Sequence, residues 1–182
     1  MEVDDQFVHS LRKGDADAYE TLVRRFEAPL YRFFLAAHGD PQLASEQSAD
    51  CFGDLVGSIP KMVGGAAELR SFVFAVAKNV LRGQWRRRTR ERTQPLLGAE
   101  PVDDWPAPDA AMQSVEESER IIAAIRLLDE STRDVFLLRF VEQMSLAEIA
   151  TAVREPIGTV KSRLHRGRQR LQQILQSTRG LS

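Results

Sequence analysis

Residues 145–171 read SLAEIATAVREPIGTVKSRLHRGRQRL. Ser145 and Glu148 stand three apart at the head of an apolar run, the spacing of a capping box: the hydroxyl takes one orphan backbone N–H and the carboxylate reaches back to another. Leu146, Ile149, Ala150 and Val153 then form a short buried helix face. A tight break follows at Arg154-Glu155-Pro156-Ile157-Gly158. A second helix opens near Thr159 and buries Val160, Leu164, Leu171 and Leu175. A short capped helix, a brief turn and a basic second helix make a helix-turn-helix. Its second helix can lie in a DNA major groove. Thr159 opens that helix, and Lys161, Ser162, His165 and Arg166 fall on its outer face, within reach of base edges or phosphates. Any three-helix bundle carries the same apolar pattern. The basic charge concentrated on the second helix is what favours nucleic acid.

Two short helices precede this unit. Ile121, Ile122, Ile125 and Leu128 mark the first; Val135, Leu138 and Val141 mark the second, with Ser131 as its expected cap. Before them, residues 93–117 hold four prolines, no basic residue and little apolar content. Such a segment buries too little surface to offset its ordering entropy. It reads as a flexible acidic linker between domains at 1–92 and 118–182. Twenty-five flexible residues have a root-mean-square span of roughly 25–30 Å.

The N-terminal domain is helical in pattern throughout. Tyr19, Leu22, Val23, Phe26, Leu30, Phe33, Phe34 and Ala37 follow one buried face, with Asp15 as N-cap, a kink or split expected at Pro29, and a stop at Gly39. Asp40-Pro41 restarts a helix that runs to about Ile59. Residues 60–68 read as a loop around Gly64-Gly65. The pattern returns from Leu69 through Phe72, Val73, Val76 and Val80, and runs into Trp85-Arg86-Arg87-Arg88. No segment alternates with period two, so the expected fold class is all-α: two small helical domains, the C-terminal one a helix-turn-helix.

Charge sharpens this reading. The chain of 182 residues carries a net charge of only −1. Residues 78–92 nevertheless sum to +6, residues 93–119 to −7 and residues 154–182 to +6. Two compact cationic blocks in a neutral chain point to a polyanion touched at two places. In the first block Phe72, Phe74 and Trp85 interleave with Lys78, Asn79, Arg82, Arg86, Arg87 and Arg88. Aromatic faces stack on unpaired bases and arginines hold phosphates. Phe72 lies on the apolar stripe and reads as core; Phe74 and Trp85 lie off it and read as exposed. The structural alternative for both blocks is a pair of solvated helix faces.

Other classes find little support. No run of 18 apolar residues exists to span a membrane, and the acidic start lacks a signal-peptide core. One cysteine, Cys51, excludes an internal disulfide, and it reads as a small buried apolar residue. His9, His38 and His165 are far apart, with no companion metal ligands. Paired carboxylates, a nucleophile–base set and a glycine-rich phosphate loop are all missing. No catalytic residue, cofactor or small-molecule substrate is therefore expected.

Two segments carry a resemblance. FVFAVAKNVLRGQWRRRTR (72–90) resembles the promoter-melting segment of bacterial RNA polymerase sigma factors of the extracytoplasmic-function type. LDESTRDVFLLRFVEQMSLAEIATAVREPIGTVKSRLHRGRQRL (128–171) is similar to the second conserved domain of that family, and 11–33 is similar to its opening helices. The resemblance implies a transcription initiation factor that joins core RNA polymerase in the cytoplasm and directs it to promoter DNA, with an anti-sigma factor as a further partner. It implies that Lys78, Asn79, Arg82, Trp85, Arg86, Arg87 and Arg88 serve the minus-10 element. Thr159, Lys161, Ser162, His165 and Arg166 would then serve the minus-35 element. The loop 61–68 matches one that pockets a flipped base. The helix at 44–55 matches the clamp-binding helix, with Glu46, Asp50, Phe52, Asp54 and Leu55 as contacts. The chain departs from the family pattern at Gln47 and Ala49 in that helix, at Phe72 and Gly83 in the melting segment, and at Arg154 where the turn carries a glycine. If Arg154 takes positive φ, a side chain there costs about 1 kcal/mol. The competing class is a helix-turn-helix regulator that needs no polymerase; the aromatic–basic segment 72–90 argues against it. A purely helical interaction protein leaves both cationic blocks unexplained.

Overall fold

The computed structural model describes residues 3–89 and 115–179, with side chains placed for 3–83 and 118–177. The described elements are α1 (Asp5–Arg12), α2 (Ala16–His38), α3 (Pro41–Ser58), α4 (Ala66–Thr89), α5 (Val115–Arg126), α6 (Glu130–Phe136), α7 (Leu146–Val153) and α8 (Ile157–Arg179). A 3₁₀ turn at Ile59–Lys61 follows α3, and a π-helical turn at Leu137–Val141 extends α6. No strand occurs among the described residues, in keeping with the all-α expectation. α5 begins three residues ahead of the expected boundary at 118, and the linker positions 93–114 lie outside the described residues.

Local chemistry sets the helix ends. Asp15 caps α2 through a bond from the Ala18 N–H at 2.8 Å. Asp40 accepts from the N–H of Gln42 and Leu43 ahead of Pro41. Gly39 closes α2 in the left-handed region, φ 75°. Pro29 neither splits α2 nor ends it: the helix runs unbroken from Ala16 to His38. A proline removes one i→i−4 bond, but buried Phe26, Leu30 and Phe33 hold the turns on either side. The cap of α6 is Asp129, which accepts from Thr132 N at 3.0 Å, and not Ser131, whose hydroxyl bonds the Asp129 carboxylate instead.

The N-terminal core gathers Phe7, Leu11, Leu22, Leu30, Phe33, Phe34, Leu55, Ile59 and Phe74. Phe33 meets Phe34 and Phe74 edge-on, with centroids 5.4 and 5.6 Å apart. Phe74 is thus core and Phe72 only half-buried, the reverse of the expectation. The reason is that α4 is buried on two sides: against α2 and α3 of its own domain, and against α7 of the other. A single apolar stripe does not describe such a helix.

In the C-terminal domain α8 packs on α5, α6 and α7. It approaches α6 closely at Gly167, where an added Cβ would run into the Phe136 ring and Thr132. We expect Gly167→Leu to lower the thermal midpoint by the equivalent of roughly 1–3 kcal/mol. Leucine is the better helix former, so a loss seen in thermal melts would come from the crossing and not from propensity.

Candidate nucleic-acid and polymerase interfaces

The helix-turn-helix is built as its residues dictate. Ser145 Oγ accepts from the Glu148 N–H at 3.2 Å and Glu148 Oε2 accepts from the Ser145 N–H at 2.8 Å. Burial pushes the Glu148 carboxyl up, but these bonds and the nearby Arg70 guanidinium outweigh it and hold the group below its usual range. α7 ends at Arg154 in the left-handed region, φ 58° and ψ 48°. Glu155 then pairs with Arg163 at 2.8 Å across the turn. α8 starts at Ile157, two residues earlier than the spacing indicated.

Val160 and Leu164 are buried, as read. Lys161 and Arg166 are exposed; Thr159, Ser162 and His165 are half-buried on the same outer side. Ser162 Oγ accepts from Arg166 at 3.3 Å, and Gln169 Nε2 lies 3.2 Å from His165 Nε2. The outer face therefore carries two polar pairs, Ser162–Arg166 and His165–Gln169, with Lys161 exposed beside them.

On α3, Glu46, Asp50 and Asp54 recur every fourth residue and all are exposed. They form one acidic stripe, since residues four apart share a helix face. Phe52 is half-buried. Leu55 is fully buried in the N-terminal core and is not available for a surface contact. The atypical Gln47 is also fully buried, its Oε1 2.8 Å from His38 Nε2, while Ala49 is exposed. Cys51 is buried beside Asp54, and desolvation pushes its thiol up to about 12.

The basic end of α4 is arranged differently from the expectation. Asn79 is exposed. Lys78 is not: it is 5% exposed, with Nζ donating to the carbonyls of Ala152 and Val153 at 3.3 Å each. Burial, then the neighbouring Arg82, draws its pKa down. Arg82 sits 3.0 Å from both Glu130 and Asp134. Asp134 is 1% exposed on its side chain, and its Oδ1 has no hydrogen-bond partner. Burial pushes its carboxyl up to about 6 against the pull of Arg82. Trp85, Arg86, Arg87 and Arg88 belong to α4, but their side chains lie outside the described ones. The loop 61–68 is pinned from α1: Arg12 donates to the carbonyls of Met62, at 2.9 Å, and Gly64, and Asp5 accepts from the Ala66 N–H at 2.8 Å. Sequence reasoning assigned no role to Arg12 or Asp5, because they lie some fifty to sixty residues from their partners. No group of His, Cys, Asp or Glu able to hold a metal occurs among the described residues, and no described helix is long and apolar enough to cross a membrane.

Fold and surfaces together define a two-domain helical protein with a helix-turn-helix in its C-terminal domain. Residues 118–171 match the family described as sigma-70, region 4. The RNA polymerase sigma-H factor of Pseudomonas aeruginosa is 28% identical over 97% of this chain and 95% of its own length. The ECF RNA polymerase sigma factor SigW of Bacillus subtilis is 25% identical over 92% and 94%. Among solved structures, CnrH in complex with the cytosolic domain of CnrY shares the fold at a TM-score of 0.68, with 19% identity, covering 97% of this chain and 99% of that one. The sigma factor RpoE in complex with the anti-sigma factor NepR from Bartonella quintana does so at 0.63, with 20% identity, over 87% and 96%. The chain is thus similar along most of its length to sigma factors of the extracytoplasmic-function type, and its residues 118–171 match sigma-70, region 4.

The Asp134 carboxyl gives a test with a definite sign. Its pKa is about 6 in the folded chain, against roughly 3.9 unfolded. The folded state holds the proton more tightly, so this group adds stability below the unfolded value and loses that contribution as pH rises through about 6. Relative to wild type, Asp134→Asn should therefore gain stability between pH 4 and pH 7, on the order of 1–3 kcal/mol. Denaturant melts of both proteins across that range check it; a constant difference would place Asp134 in a less desolvated setting.

Proposed function

We propose that this chain is a transcription initiation factor that binds core RNA polymerase and directs it to promoters, and that it has no catalysis of its own. The observation that carries the reading is α8: a basic helix presenting Lys161, Ser162, His165 and Arg166 outward from a sigma-70 region 4 domain. In this reading α8 lies in the major groove of the minus-35 duplex, where bidentate contacts to base edges discriminate by about 1–3 kcal/mol each. Thr159 stands at the start of the same face. The acidic stripe Glu46–Asp50–Asp54, flanked by half-buried Phe52, is the polymerase-facing surface. Leu55 supports that helix from inside the core.

The N-terminal domain supplies the minus-10 contact. Asn79 is placed to bond an unpaired base edge. Trp85, Arg86, Arg87 and Arg88 supply cations and a stacking face for the melted strand, whereas Lys78 and Arg82 are held by the C-terminal domain in this structure. The polymerase performs the chemistry, and the factor works with it in the cytoplasm. An anti-sigma factor is a further partner in this reading. Pinning of the loop 61–68 by Arg12 and Asp5 fits a surface that must hold its shape against a displaced base.

Run-off transcription with core polymerase, with and without this protein, tests the reading; promoter-independent or absent initiation would overturn it. Within it, Arg166→Ala should keep the melting temperature and reduce transcription on templates that need the minus-35 sequence. Leu164→Ala should instead lower stability by roughly 2–5 kcal/mol through a core cavity. Asn79→Ala should reduce permanganate reactivity of promoter thymines while leaving pull-down of core polymerase intact. Equal loss of stability in Arg166→Ala and Leu164→Ala would mean that the reading face is misassigned.

A further inference from the structure

The segment from Met62 to Ala66 joins the 3₁₀ turn to α4, and its backbone is held from outside. Arg12 donates to the Met62 carbonyl at 2.9 Å and to the Gly64 carbonyl. Glu68 Oε2 accepts from the Gly65 N–H and Asp5 Oδ1 from the Ala66 N–H, each at 2.8 Å. The Met62 side chain is buried and fixes the near end. Gly64 lies at φ 103°, where a side chain is strained, and a Cβ on Gly65 would run into the Asp5 carboxylate. Asp5 opens α1 and Arg12 closes it, so the two distant anchors are the ends of one helix. Phe7, Val8 and Leu11 seat that helix in the core between them. Exposed connecting segments are ordinarily mobile; this one is tied to residues 50 and 61 positions from their partners. What the loop presents is Val63, 90% exposed. A single exposed apolar residue needs no explanation in itself. Here, however, the backbone on both sides is fixed, and among the described residues nothing bonds the N–H or C=O of Val63 or the N–H of Gly64. Lys61, also exposed, stands two residues away. An apolar side chain, unused backbone donors and acceptor, and a cation beside them are the parts needed to touch the face, the edge and the phosphate of one unpaired nucleotide.

We propose that α1 is a positioning element for nucleic-acid recognition: Arg12 and Asp5 hold the loop in one shape, so that Val63 meets an unpaired promoter base on a backbone already ordered. Arg12 and Asp5 do not touch the nucleotide; they act through the carbonyls and the N–H that they bond. The inference rests on the promoter-binding reading for what the loop meets; the anchoring itself rests on the contacts alone. A segment that must be ordered at the moment of binding subtracts from affinity, and a segment ordered in folding does not. A loose loop also adapts to a wrong base, whereas a fixed one leaves the wrong base poorly matched. The anchoring therefore acts on discrimination between bases more than on attraction to DNA.

The test uses the full chain with Arg12→Ala, Asp5→Ala and Val63→Ala. Circular dichroism melts establish that each variant is folded; Asp5 is exposed, so Asp5→Ala carries the test alone if Arg12→Ala does not fold. Amide hydrogen exchange followed by NMR reports the anchoring. The Gly65 and Ala66 amides should exchange about tenfold faster in either anchor variant, the effect of losing a charge-assisted hydrogen bond, and at the wild-type rate in Val63→Ala. Run-off transcription with core polymerase, on templates carrying each base in turn through the minus-10 element, reports the contact. All three variants should narrow the spread between best and worst base about fivefold or more. Arg12→Ala and Asp5→Ala change the charge in opposite senses, so a loss of discrimination shared by both does not come from electrostatic attraction to DNA. Arg12→Ala combined with Val63→Ala should narrow the spread no further than the larger single effect, because residues acting as one unit are not additive. Unchanged exchange in the anchor variants overturns the anchoring. Faster exchange with full discrimination, or additive losses in the combined variant, overturns the positioning role and leaves the promoter reading standing. Absence of run-off transcription with the wild-type chain sinks the promoter reading, and the nucleotide contact with it.

Discussion

α4 is buried on both flanks, and much of the molecule follows from that. One side completes the N-terminal core through Phe74, Val73 and Leu69; the other lies under α7. A helix in that position cannot leave its polar side chains unpartnered, because an unpaired buried charge is far more costly than a paired one. Lys78 is the sharpest case. Its ammonium is nearly out of water, and it is tolerated because two helix-end carbonyls receive it. Arg82 meets the same need with two carboxylates. Lys78 and Arg82 of α4 thus link the two domains.

The helix-turn-helix shows the opposite economy. Its stability comes from Val160, Leu164 and the Gly167 crossing, all on the inner side, which leaves the outer row without a structural task. Arg154 takes the left-handed conformation that a glycine would enter at less cost. The neighbouring Glu155–Arg163 pair and the capping box at Ser145 brace the turn from both sides. Rigid presentation of a polar face from a tightly packed inner side is what base reading requires, since misplacement forfeits bidentate geometry.

The legible parts of this chain were those decided locally. The capping box, the Asp15 cap, the Gly39 stop and the inward Val160 and Leu164 all follow from spacing within a few residues, and the structure carries each of them. The misread parts depend on a partner distant in sequence. Phe74 lies off the single apolar stripe and so reads as exposed, but the helix has two covered sides. Lys78 looked like a free cation because nothing nearby in sequence reveals an acceptor 74 residues on. Leu55 and Phe52 are three apart on α3, yet only the packing of α3 on α2 and α4 determines which is core. The departures at Gln47 and Ala49 likewise acquire meaning only in three dimensions, where Gln47 turns inward to His38 while Ala49 and the acidic stripe stay exposed.

Beside the apolar part of the domain contact, where Val76 and Ala77 of α4 and Ala152 and Val153 of α7 are buried, the charged contacts have a different cost. An apolar seam of the same extent would gain roughly 25 cal/mol for each Å² removed from water, with no desolvation penalty to offset it, and would hold the domains together under all conditions. Ion pairs and helix-end contacts must first give up hydration, so their net gain is small even when their geometry is good. Asp134 bears this out: burial raises its pKa in spite of the adjacent Arg82, so desolvation is the larger effect there. A contact built that way sits close to balance. Any interaction that favours a separated arrangement of the two domains by a few kcal/mol shifts the population decisively.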